Sequence, residues 1–378
     1  MIYLDHAATT PVRPEVAEAM QPYLSGRFGN PSSIHAAGRQ ARAAMDEARD
    51  SVAAALHADY GEICFTSGGT EADNLALIGT MFAAPENRNH LVVSAVEHHA
   101  VLHAARFLES RGYGVTWLGV DREGYVDGDA LAEAVTDRTA LVSIMHGNNE
   151  IGTVQDVARF ARVAHDRGAL FHTDAVQTLG FLPLHVRGID CDLLSVSAHK
   201  VYGPKGVGTL YVRTGVKLSP ILFGGAQERE RRPGTENTAG IAGFGAAIQL
   251  SQGEREGEAA RLAELRDRFA ESMLNAIPDA RLNGPKGSRR LPHIVNISIS
   301  GCEGSALLMN LDRAGICASS GSACSSGSIE PSHVLKAIGL PDDLAASGIR
   351  FSLGRGTTAE QLDATVEALR SIVSRIRG

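Results

Sequence analysis

Ala140-Leu141-Val142-Ser143-Ile144-Met145 begins the segment that decides the fold class. This short apolar run predicts a buried strand, residues 157–167 follow with helical spacing, and Leu170-Phe171-His172-Thr173-Asp174 predicts a second strand. Two strands joined through a helix form a parallel βαβ unit. The same alternation extends outward to residues 63–66 on one side and residues 208–212 on the other. It predicts an α/β fold with a mostly parallel sheet flanked by helices.

The sequence changes character near residue 252. A chain of 378 residues predicts two domains, at about 100–200 residues each. Residues 252–258 begin a charged amphipathic helix that we expect to reach about Ala276, followed by a strand at residues 294–299 and a final helix at residues 359–377. We therefore predict a large domain over residues 15–252. A smaller α/β domain would cover residues 253–378, include the N-terminal segment 1–14 and carry the loop around Cys324.

Composition excludes several classes of function. There are 36 Lys and Arg residues against 43 Asp and Glu residues, a net charge of −7, which argues against a nucleic-acid partner. The 5 cysteines form no CxxC pair, so we expect reduced thiols rather than disulfides or a structural zinc site. The N-terminus shows no signal-peptide pattern and no apolar run has the length of a membrane span. We expect a cytoplasmic protein with no membrane partner.

Lys200 lies in Ser197-Ala198-His199-Lys200-Val201-Tyr202-Gly203, directly after a predicted buried strand. A lysine that is removed from water has a lowered pKa, and its amine can attack a carbonyl carbon. A surface lysine in a glycine-rich turn would have the same local pattern. Lys200 alone therefore leaves both interpretations open.

Asp174 ends a predicted apolar strand, where a carboxylate is costly unless it has a partner. The protonated nitrogen of a pyridine ring is one such partner, because enzymes that hold pyridoxal phosphate on a lysine commonly pair an acid with that nitrogen. An aspartate that caps the next helix would occupy the same position. From this residue alone, both interpretations remain.

The turn Thr66-Ser67-Gly68-Gly69-Thr70-Glu71 joins a predicted strand to a predicted helix. Backbone N–H groups at a helix N-terminus suit a phosphate, and Thr70 adds a hydroxyl, although the same residues could form an ordinary helix cap. Together with Asp174 and Lys200, this turn supplies three attachments. They are a phosphate cradle, a partner for a ring nitrogen and an amine for an aldehyde, which are the attachments that pyridoxal phosphate needs.

Cys324 lies in Ala318-Ser319-Ser320-Gly321-Ser322-Ala323-Cys324-Ser325, a loop of small and polar residues. We expect such a loop to be exposed, so core packing poorly explains its thiol, which could act as a nucleophile. The remaining cysteines are expected to be structural, and they are Cys64, Cys191, Cys302 and Cys317.

Three histidines in Glu97-His98-His99-Ala100-Val101-Leu102-His103 raise the question of a metal. His99 and His103 are one helical turn apart, but no third ligand lies nearby in the sequence, so we expect no metal site. His98 could instead lie on a cofactor ring and transfer protons. Arg350, on a predicted strand, could bind a substrate carboxylate through two hydrogen bonds or form a surface salt bridge.

Together, these motifs resemble those of the NifS/IscS-type cysteine desulfurases, which are fold-type I pyridoxal-phosphate enzymes of the class V aminotransferase type. The resemblance covers essentially the whole chain. It rests on residues 3–10, 29–35, 66–74, 97–98, 148–152, 172–177, 197–206, 232–237 and 320–326. The chain departs from many relatives at Asp5-His6-Ala7-Ala8-Thr9-Thr10, where they have Asp-Asn-Asn-Ala-Thr-Thr; we expect no change in chemistry.

The resemblance implies a role for each candidate residue. In the cofactor site, Lys200 would bind the aldehyde, Asp174 the pyridine nitrogen, Gln177 the phenolic oxygen and His98 the ring face, while Gly69, Thr70, Ser197 and His199 would hold the phosphate. Thr235 would reach the phosphate in the other subunit, which implies a homodimer. For the substrate, Asn149 would contact both cofactor and substrate, and Arg350 would bind the carboxylate with help from Asn30.

The activity that the resemblance implies is removal of sulfur from L-cysteine. Lys200 would take the Cα proton, His98 would assist proton transfer, and Cys324 would accept the sulfur as a persulfide while alanine leaves. A sulfur-acceptor protein of iron–sulfur cluster assembly or thiolation would then receive it, and Cys324 could transiently contact a cluster on such a scaffold. The Cys324 loop resembles that of the long-loop group, whose cysteine can reach partners.

Other functions remain open at this point. A selenocysteine lyase, an aminotransferase or a kynureninase-like hydrolase would share the fold and cofactor. A transaminase needs no thiol, so Cys324 favours the desulfurase, but the sequence does not separate a desulfurase from a selenocysteine lyase. A catalytically inactive homologue that serves as a scaffold is disfavoured because Lys200 and Cys324 are both present.

Overall fold

The computed structural model describes residues 1–320 and 331–378. Its strands are β1 (Ile2–Tyr3), β2 (Ile63–Thr66), β3 (His90–Ser94), β4 (Gly114–Leu118), β5 (Thr139–Ser143), β6 (Leu170–Asp174), β7 (Leu193–Ser197), β8 (Gly208–Val212), β9 (Ala280–Leu282), β10 (Ile294–Ile299), β11 (Ile316–Cys317) and β12 (Ile349–Ser352). Its helices are α1 (Pro14–Leu24), α2 (Ala36–Leu56), α3 (Gly69–Ala83), α4 (His99–Ser110), α5 (Gly128–Ala134), α6 (Val157–His165), α7 (Val186–Ile189), α8 (Thr238–Ala276), α9 (Gly304–Arg313), α10 (His333–Ala337), α11 (Asp342–Ala346) and α12 (Ala359–Arg377).

The larger sheet has seven strands in the order β2-β8-β7-β6-β5-β3-β4. Strands β3 to β7 run parallel to one another, whereas β8 is antiparallel to both β7 and β2. Every residue of β5 and β7 is buried, as expected for strands that helices cover on both faces. The predicted α/β fold with a mostly parallel sheet is confirmed.

Two neighbouring strands of this sheet bring the main candidate residues to one edge. Asp174 is the last residue of β6 and pairs in register with Ser195 of β7. A short 3₁₀ turn, Ala198–Lys200, follows β7 directly. Because β6 and β7 are parallel, Asp174 and Lys200 lie at the same carboxyl edge, where open α/β sheets bind their ligands.

A smaller antiparallel sheet, in the order β12-β10-β9, lies in the C-terminal part of the chain. The N-terminal segment packs with it: β1 pairs in parallel with β11, and Asp5 forms an isolated bridge with Ser352. Leu4 is buried in the same apolar cluster as Val295 and Phe351. The first residues of the chain therefore belong physically with residues more than 300 positions later.

Helix α8 begins earlier than the sequence predicts. It starts at Thr238 rather than near residue 252, and it runs without interruption to Ala276. Phe244, in its first half, packs in the core of the larger sheet, whereas Phe269, in its second half, packs in the C-terminal cluster. The predicted domain boundary lies inside this helix, and the division into two domains stays a prediction.

Within the two described ranges, the long helices are too polar to cross a membrane.

Candidate active site

A cavity of about 190 Å³ lies at the carboxyl edge of β6 and β7. Many of the residues predicted from the sequence line it, namely Gly69, Thr70, His98, Asn149, Asp174, Gln177, Ser197, His199, Lys200 and Arg350. These residues come from separate loops and strand ends along 282 positions of sequence, from 69 to 350. The fold therefore gathers most of the predicted site into one place.

Three predicted residues are not part of this cavity lining. Asn30 is exposed, and its Oδ1 accepts a hydrogen bond from the Ser32 N–H at 2.9 Å. Thr235 is also exposed, in the segment before α8. Cys324 lies outside the described residues. The roles of these residues stay predictions.

The amine of Lys200 is held by the N-terminal segment. Its Nζ donates hydrogen bonds to the carbonyl oxygens of Ala7 and of Ala8, the latter at 2.9 Å. The same segment is fixed to the lysine turn, because Thr10 donates both its N–H and its hydroxyl to the His199 carbonyl. Residues 7–10 therefore set the position of the amine at the cavity wall.

Asp174 is a buried carboxyl at the end of β6. Only 5% of the residue is exposed, and its Oδ1 accepts the Val176 N–H at 2.8 Å. Burial raises the pKa of Asp174 to about 6, while the Val176 hydrogen bond and the charge of Lys200 act in the opposite direction. At pH 7 and above the group is therefore an anion, suited to hold a proton on a ring nitrogen.

Asp73, on α3, is a second buried carboxyl that sequence reasoning missed. It lines the same cavity, is only 1% exposed, and its Oδ1 lies 3.7 Å from His172 Nε2. Burial, with the nearby charge of Asp174, holds the pKa of Asp73 well above its usual range. Asp73 lies within residues 66–74, one of the stretches that carry the family resemblance, and this was the available signal.

His98 and His199 are neutral rings beside the lysine. The His98 Nδ1 accepts the Ala100 N–H at 3.2 Å as it caps α4, so the ring proton lies on Nε2. Burial, followed by the charge of Lys200, lowers the pKa of His98 to about 4. The same two causes lower the pKa of His199 to about 4. A neutral His98 can accept or return a proton at physiological pH.

The predicted phosphate cradle has two features that fit a phosphate. Helix α3 begins at Gly69. A Cβ added at this position would lie 2.8 Å from Val176 Cγ2, so only glycine fits here without a shift of the neighbouring side chain. The Ser197 hydroxyl is buried at the cavity and has no hydrogen-bond partner among the described residues. An oxygen-rich anion would satisfy that hydroxyl and the N–H groups of the helix.

Arg350 is a buried residue of the cavity wall. Its Nη2 lies 2.9 Å from Asp5 Oδ1, and its Nη1 donates to the Asn149 carbonyl at 2.9 Å. The residue is only 1% exposed, which excludes the surface salt bridge that the sequence had left open. Asp5 and Asn149 orient the guanidinium at the cavity.

Glu97 and Glu150 are buried acids that sequence reasoning also missed. Glu97 Oε1 accepts the Ser94 hydroxyl at 2.6 Å and the Met145 N–H at 2.8 Å. Burial raises the pKa of Glu97 to about 8 and the pKa of Glu150 to about 7. Both adjoin predicted site residues and lie in residues 97–98 and 148–152, which carry the family resemblance, and this was the available signal.

The histidine pair considered for a metal has a third histidine nearby. The His99 ring centroid lies 5.1 Å from that of His103 and 4.8 Å from that of His333. Nevertheless, among residues 1–320 and 331–378, no group of three or more His, Cys, Asp or Glu side chains could hold a metal ion.

Comparison with known proteins identifies the family of this chain. The family model for class-V aminotransferases matches residues 2–365. The chain belongs to the class-V aminotransferase family. A relative from Dictyoglomus turgidum, named cysteine desulfurase IscS, is 52% identical over 376 residues, covering 100% of this chain and 95% of the relative.

Solved structures agree with this assignment. One described as a NifS-like protein superimposes with a TM-score of 0.93 at 34% identity and covers 99% of each chain. Another, SspA in complex with cysteine, has a TM-score of 0.83 at 37% identity and covers 93% of this chain and 99% of that one. The resemblance to cysteine desulfurases and the fold-type I architecture are confirmed.

Enzymes of this family use pyridoxal phosphate, so the predicted cofactor is also confirmed. The cavity fits it: it offers a helix N-terminus and a buried hydroxyl for the phosphate, an anion for the ring nitrogen and an amine for the aldehyde. The roles of the individual residues stay predictions.

Proposed function

We propose that this protein is a cysteine desulfurase that transfers sulfur from L-cysteine to Cys324 and releases alanine. The observation that supports this most strongly is the single cavity that contains the Lys200 amine, the Asp174 carboxylate and the buried Arg350 guanidinium. An amine, an acid for the ring nitrogen and a clamp for a carboxylate are what a pyridoxal-phosphate enzyme needs for an amino-acid substrate.

The cofactor, when bound, supplies an aldehyde for an amine and a ring that takes up electrons. With the cofactor bound, the Lys200 amine would hold its aldehyde and would serve as the base for the proton on the substrate Cα. Asp174, anionic at neutral pH, keeps a proton on the ring nitrogen. Arg350 binds the substrate carboxylate, and the neutral His98 moves protons on the face that it borders.

The sulfur transfer itself conserves atoms and electrons. The Cys324 thiolate attacks the substrate sulfur, so that an S–S bond forms while the substrate Cβ–S bond breaks. The electron pair of the broken bond stays with Cβ, which takes up a proton and becomes the methyl group of alanine. The product on the enzyme is a persulfide, and no external oxidant is required. Cys324 lies outside the described residues, so its role rests on the sequence.

We also propose a homodimer and a sulfur-acceptor partner. Thr235 is exposed in this chain, as a residue that reaches into a second subunit would be. Large exposed apolar side chains accompany Asn30 and Thr235: Phe28 and Ile34 are 78% and 91% exposed near Asn30, and Phe223 is 89% exposed before Thr235. Exposed apolar side chains of this kind favour an interface. The acceptor protein and the cytoplasmic location stay predictions.

The deciding experiment uses the purified holoenzyme, with its molar mass measured by light scattering. L-cysteine and a reductant are added, and alanine and sulfide are measured together. We expect a yellow dimer that releases both products in equal amounts. The variant Cys324→Ser should keep the visible spectrum and make no persulfide, with Cys317→Ser as the matched control.

Other outcomes would redirect the assignment. A yellow protein that yields neither product would retain the cofactor and reject L-cysteine as the substrate. Selenocysteine in place of L-cysteine then tests for a selenocysteine lyase. Persulfide formation by Cys324→Ser at the wild-type rate would refute the acceptor role of Cys324.

A further inference from the structure

A carboxylate holds the turn that forms the predicted phosphate cradle. Glu71 lies in the first turn of α3, and its Oε2 accepts the Ser67 N–H at 2.9 Å. Among the described residues of this turn, Gly69 and Thr70 line the cavity, whereas Ser67 and Glu71 do not. The turn therefore presents Gly69 and Thr70 to the cavity, while an acid outside the cavity lining fixes its start.

An acid at this position conflicts with a phosphate. The N-terminus of a helix stabilises negative charge through its free N–H groups and its dipole, so a carboxylate and a phosphate compete for the same field. They also repel each other. Burial opposes the ionisation of Glu71, but the Arg232 side chain and the Ser67 N–H hold its pKa below the usual value. Glu71 is therefore an anion at neutral pH.

Arg232 neutralises this anion through two hydrogen bonds. Its Nε donates to Glu71 Oε1 at 2.8 Å, and its Nη2 lies 3.3 Å from Glu71 Oε2. The Arg232 and Glu71 side chains are only 24% and 13% exposed, so water and salt screen the pair incompletely. Arg232, a described residue, does not line the cavity. It can therefore act on the cradle through Glu71, not by contact with a ligand.

The backbone before Arg232 is strained. Glu228, Arg229 and Glu230 have φ angles of 45°, 58° and 65°, in the left-handed region that residues other than glycine rarely adopt. Such a run persists where surrounding contacts hold it. Glu228 supplies one contact by accepting the Phe65 N–H at 2.9 Å, and Arg232 supplies another just after the run. The chain thus keeps an unfavourable conformation that places Arg232 against Glu71.

We propose that Arg232 is a positioning residue for the cofactor phosphate, which acts by neutralising Glu71 and holding it on the Ser67 N–H. Glu71 then fixes the turn without repelling the phosphate. The proposal rests on the predicted phosphate site at Gly69 and Thr70, and it does not depend on which amino acid is the substrate.

The test compares a ligand that carries a phosphate with one that does not. The full-length protein is freed of cofactor, and equilibrium dialysis measures its affinity for pyridoxal 5′-phosphate and for pyridoxal. Arg232→Met removes the charge and keeps much of the side-chain volume. We expect it to weaken the binding of pyridoxal phosphate about three- to tenfold, the scale of a charge at a helix N-terminus. The affinity for pyridoxal should stay within about twofold of the wild type, because pyridoxal has no charge to repel.

A second substitution should reverse this loss. Glu71→Gln removes the charge and keeps an oxygen for the Ser67 N–H, so it should bind pyridoxal phosphate at least as tightly as the wild type. Combined with Arg232→Met, it should restore the affinity to within about twofold of the wild type, because no unneutralised carboxylate remains. Arg370→Met breaks the exposed pair with Glu367 and, as the matched control, should change neither affinity.

Two results would overturn the proposal. An equal loss of both ligands in Arg232→Met would indicate general damage to the site. A double variant as weak as Arg232→Met would show that Arg232 does not act through Glu71.

The underlying phosphate site has its own test. Thr70→Val should weaken the binding of pyridoxal phosphate and leave that of pyridoxal unchanged. If it weakens neither, the predicted cradle is wrong, while the double variant still decides whether Arg232 acts through Glu71. None of these measurements needs turnover, so a wild-type protein without desulfurase activity would refute the proposed function and leave this inference standing.

Discussion

Two groups of buried charged residues in this protein are stabilised in opposite ways. Arg49 of α2 and Glu228 are almost fully buried, and they form a paired contact in which Nη1 lies 2.9 Å from Oε2. The Glu228 carboxylate also accepts the Phe65 N–H at 2.9 Å, which ties the segment before Thr235 to the larger sheet. At the cavity, by contrast, Asp73 and Asp174 lie close enough for their charges to interact.

The difference separates structural charge from functional charge. An arginine and a glutamate that neutralise each other leave no unpaired charge to bind a ligand. At the cavity, burial raises the pKa of the acids, and these acids lie next to a lysine and the predicted phosphate cradle. The cofactor can supply the partner that such a carboxylate lacks. Titratable groups with perturbed pKa values that cluster in a cavity are typical of active sites. Substitutions at the cavity should therefore lower activity, whereas substitutions in the Arg49–Glu228 pair should lower stability.

The largest effect should come from the cavity. Lys200→Ala removes the amine that we propose holds the aldehyde and takes the Cα proton, so we expect alanine release to fall about 1,000-fold or more. Borohydride reduction should attach the cofactor covalently to wild-type protein and not to the variant. The exposed Lys205→Ala, five positions away, is the control and should retain the label. Labelling of another lysine in the wild type would contradict the assignment.

The buried pair should govern stability instead. Arg49→Met leaves the Glu228 carboxylate buried without its partner, so the free energy of unfolding should fall by about 3–5 kcal/mol in urea titrations. Arg49→Met combined with Glu228→Gln should recover part of this loss. As a control, Arg370→Ala breaks an exposed pair with Glu367 and should leave the unfolding midpoint unchanged. Equal losses from the two arginine substitutions would contradict the distinction.

The smallest effect concerns the pH dependence of stability. The folded pKa of Glu97, about 8, lies above its unfolded value of about 4.3, so the folded state holds the proton between these values. The resulting stabilisation is present at low pH and is lost as the pH rises through 8. Glu97→Gln has no proton to lose, so relative to the wild type it should gain stability between pH 5 and pH 8.5. Urea titrations at both pH values measure this gain, and an equal difference at both would contradict it.

Strand ends explain how much of the site could be predicted. Asp174 and Lys200 directly follow apolar strands, and parallel strands bring their ends together, so the pattern of the sequence is enough to place them. Asp73 and Glu97 could not be placed in this way. Their burial arises from tertiary contacts, such as the Met145 N–H that Glu97 accepts from 48 positions away. No local pattern records such a contact.

Helix α8 shows the same limit for the fold. Its first half was not predicted because glycines weaken helix propensity. The structure explains them by close packing. A Cβ on Gly243 would lie 2.6 Å from Met20 Cγ of α1, and a Cβ on Gly245 would lie 2.8 Å from Ala48 Cα of α2. These glycines therefore favour the helix here, since tertiary packing outweighs local propensity.

The attachment of the N-terminal segment has a consequence for synthesis in the cell. Asp5, which orients Arg350, is separated from it by 345 positions. A ribosome adds about 5–20 residues per second, so the first residues emerge roughly 20 to 70 s before their partner exists. During that interval the carbonyl oxygens of Ala7 and Ala8 can already meet Lys200, but the guanidinium that completes the cavity cannot. The nascent chain therefore acquires the Lys200 amine early and the Arg350 guanidinium last, and the cavity is incomplete until translation is nearly finished.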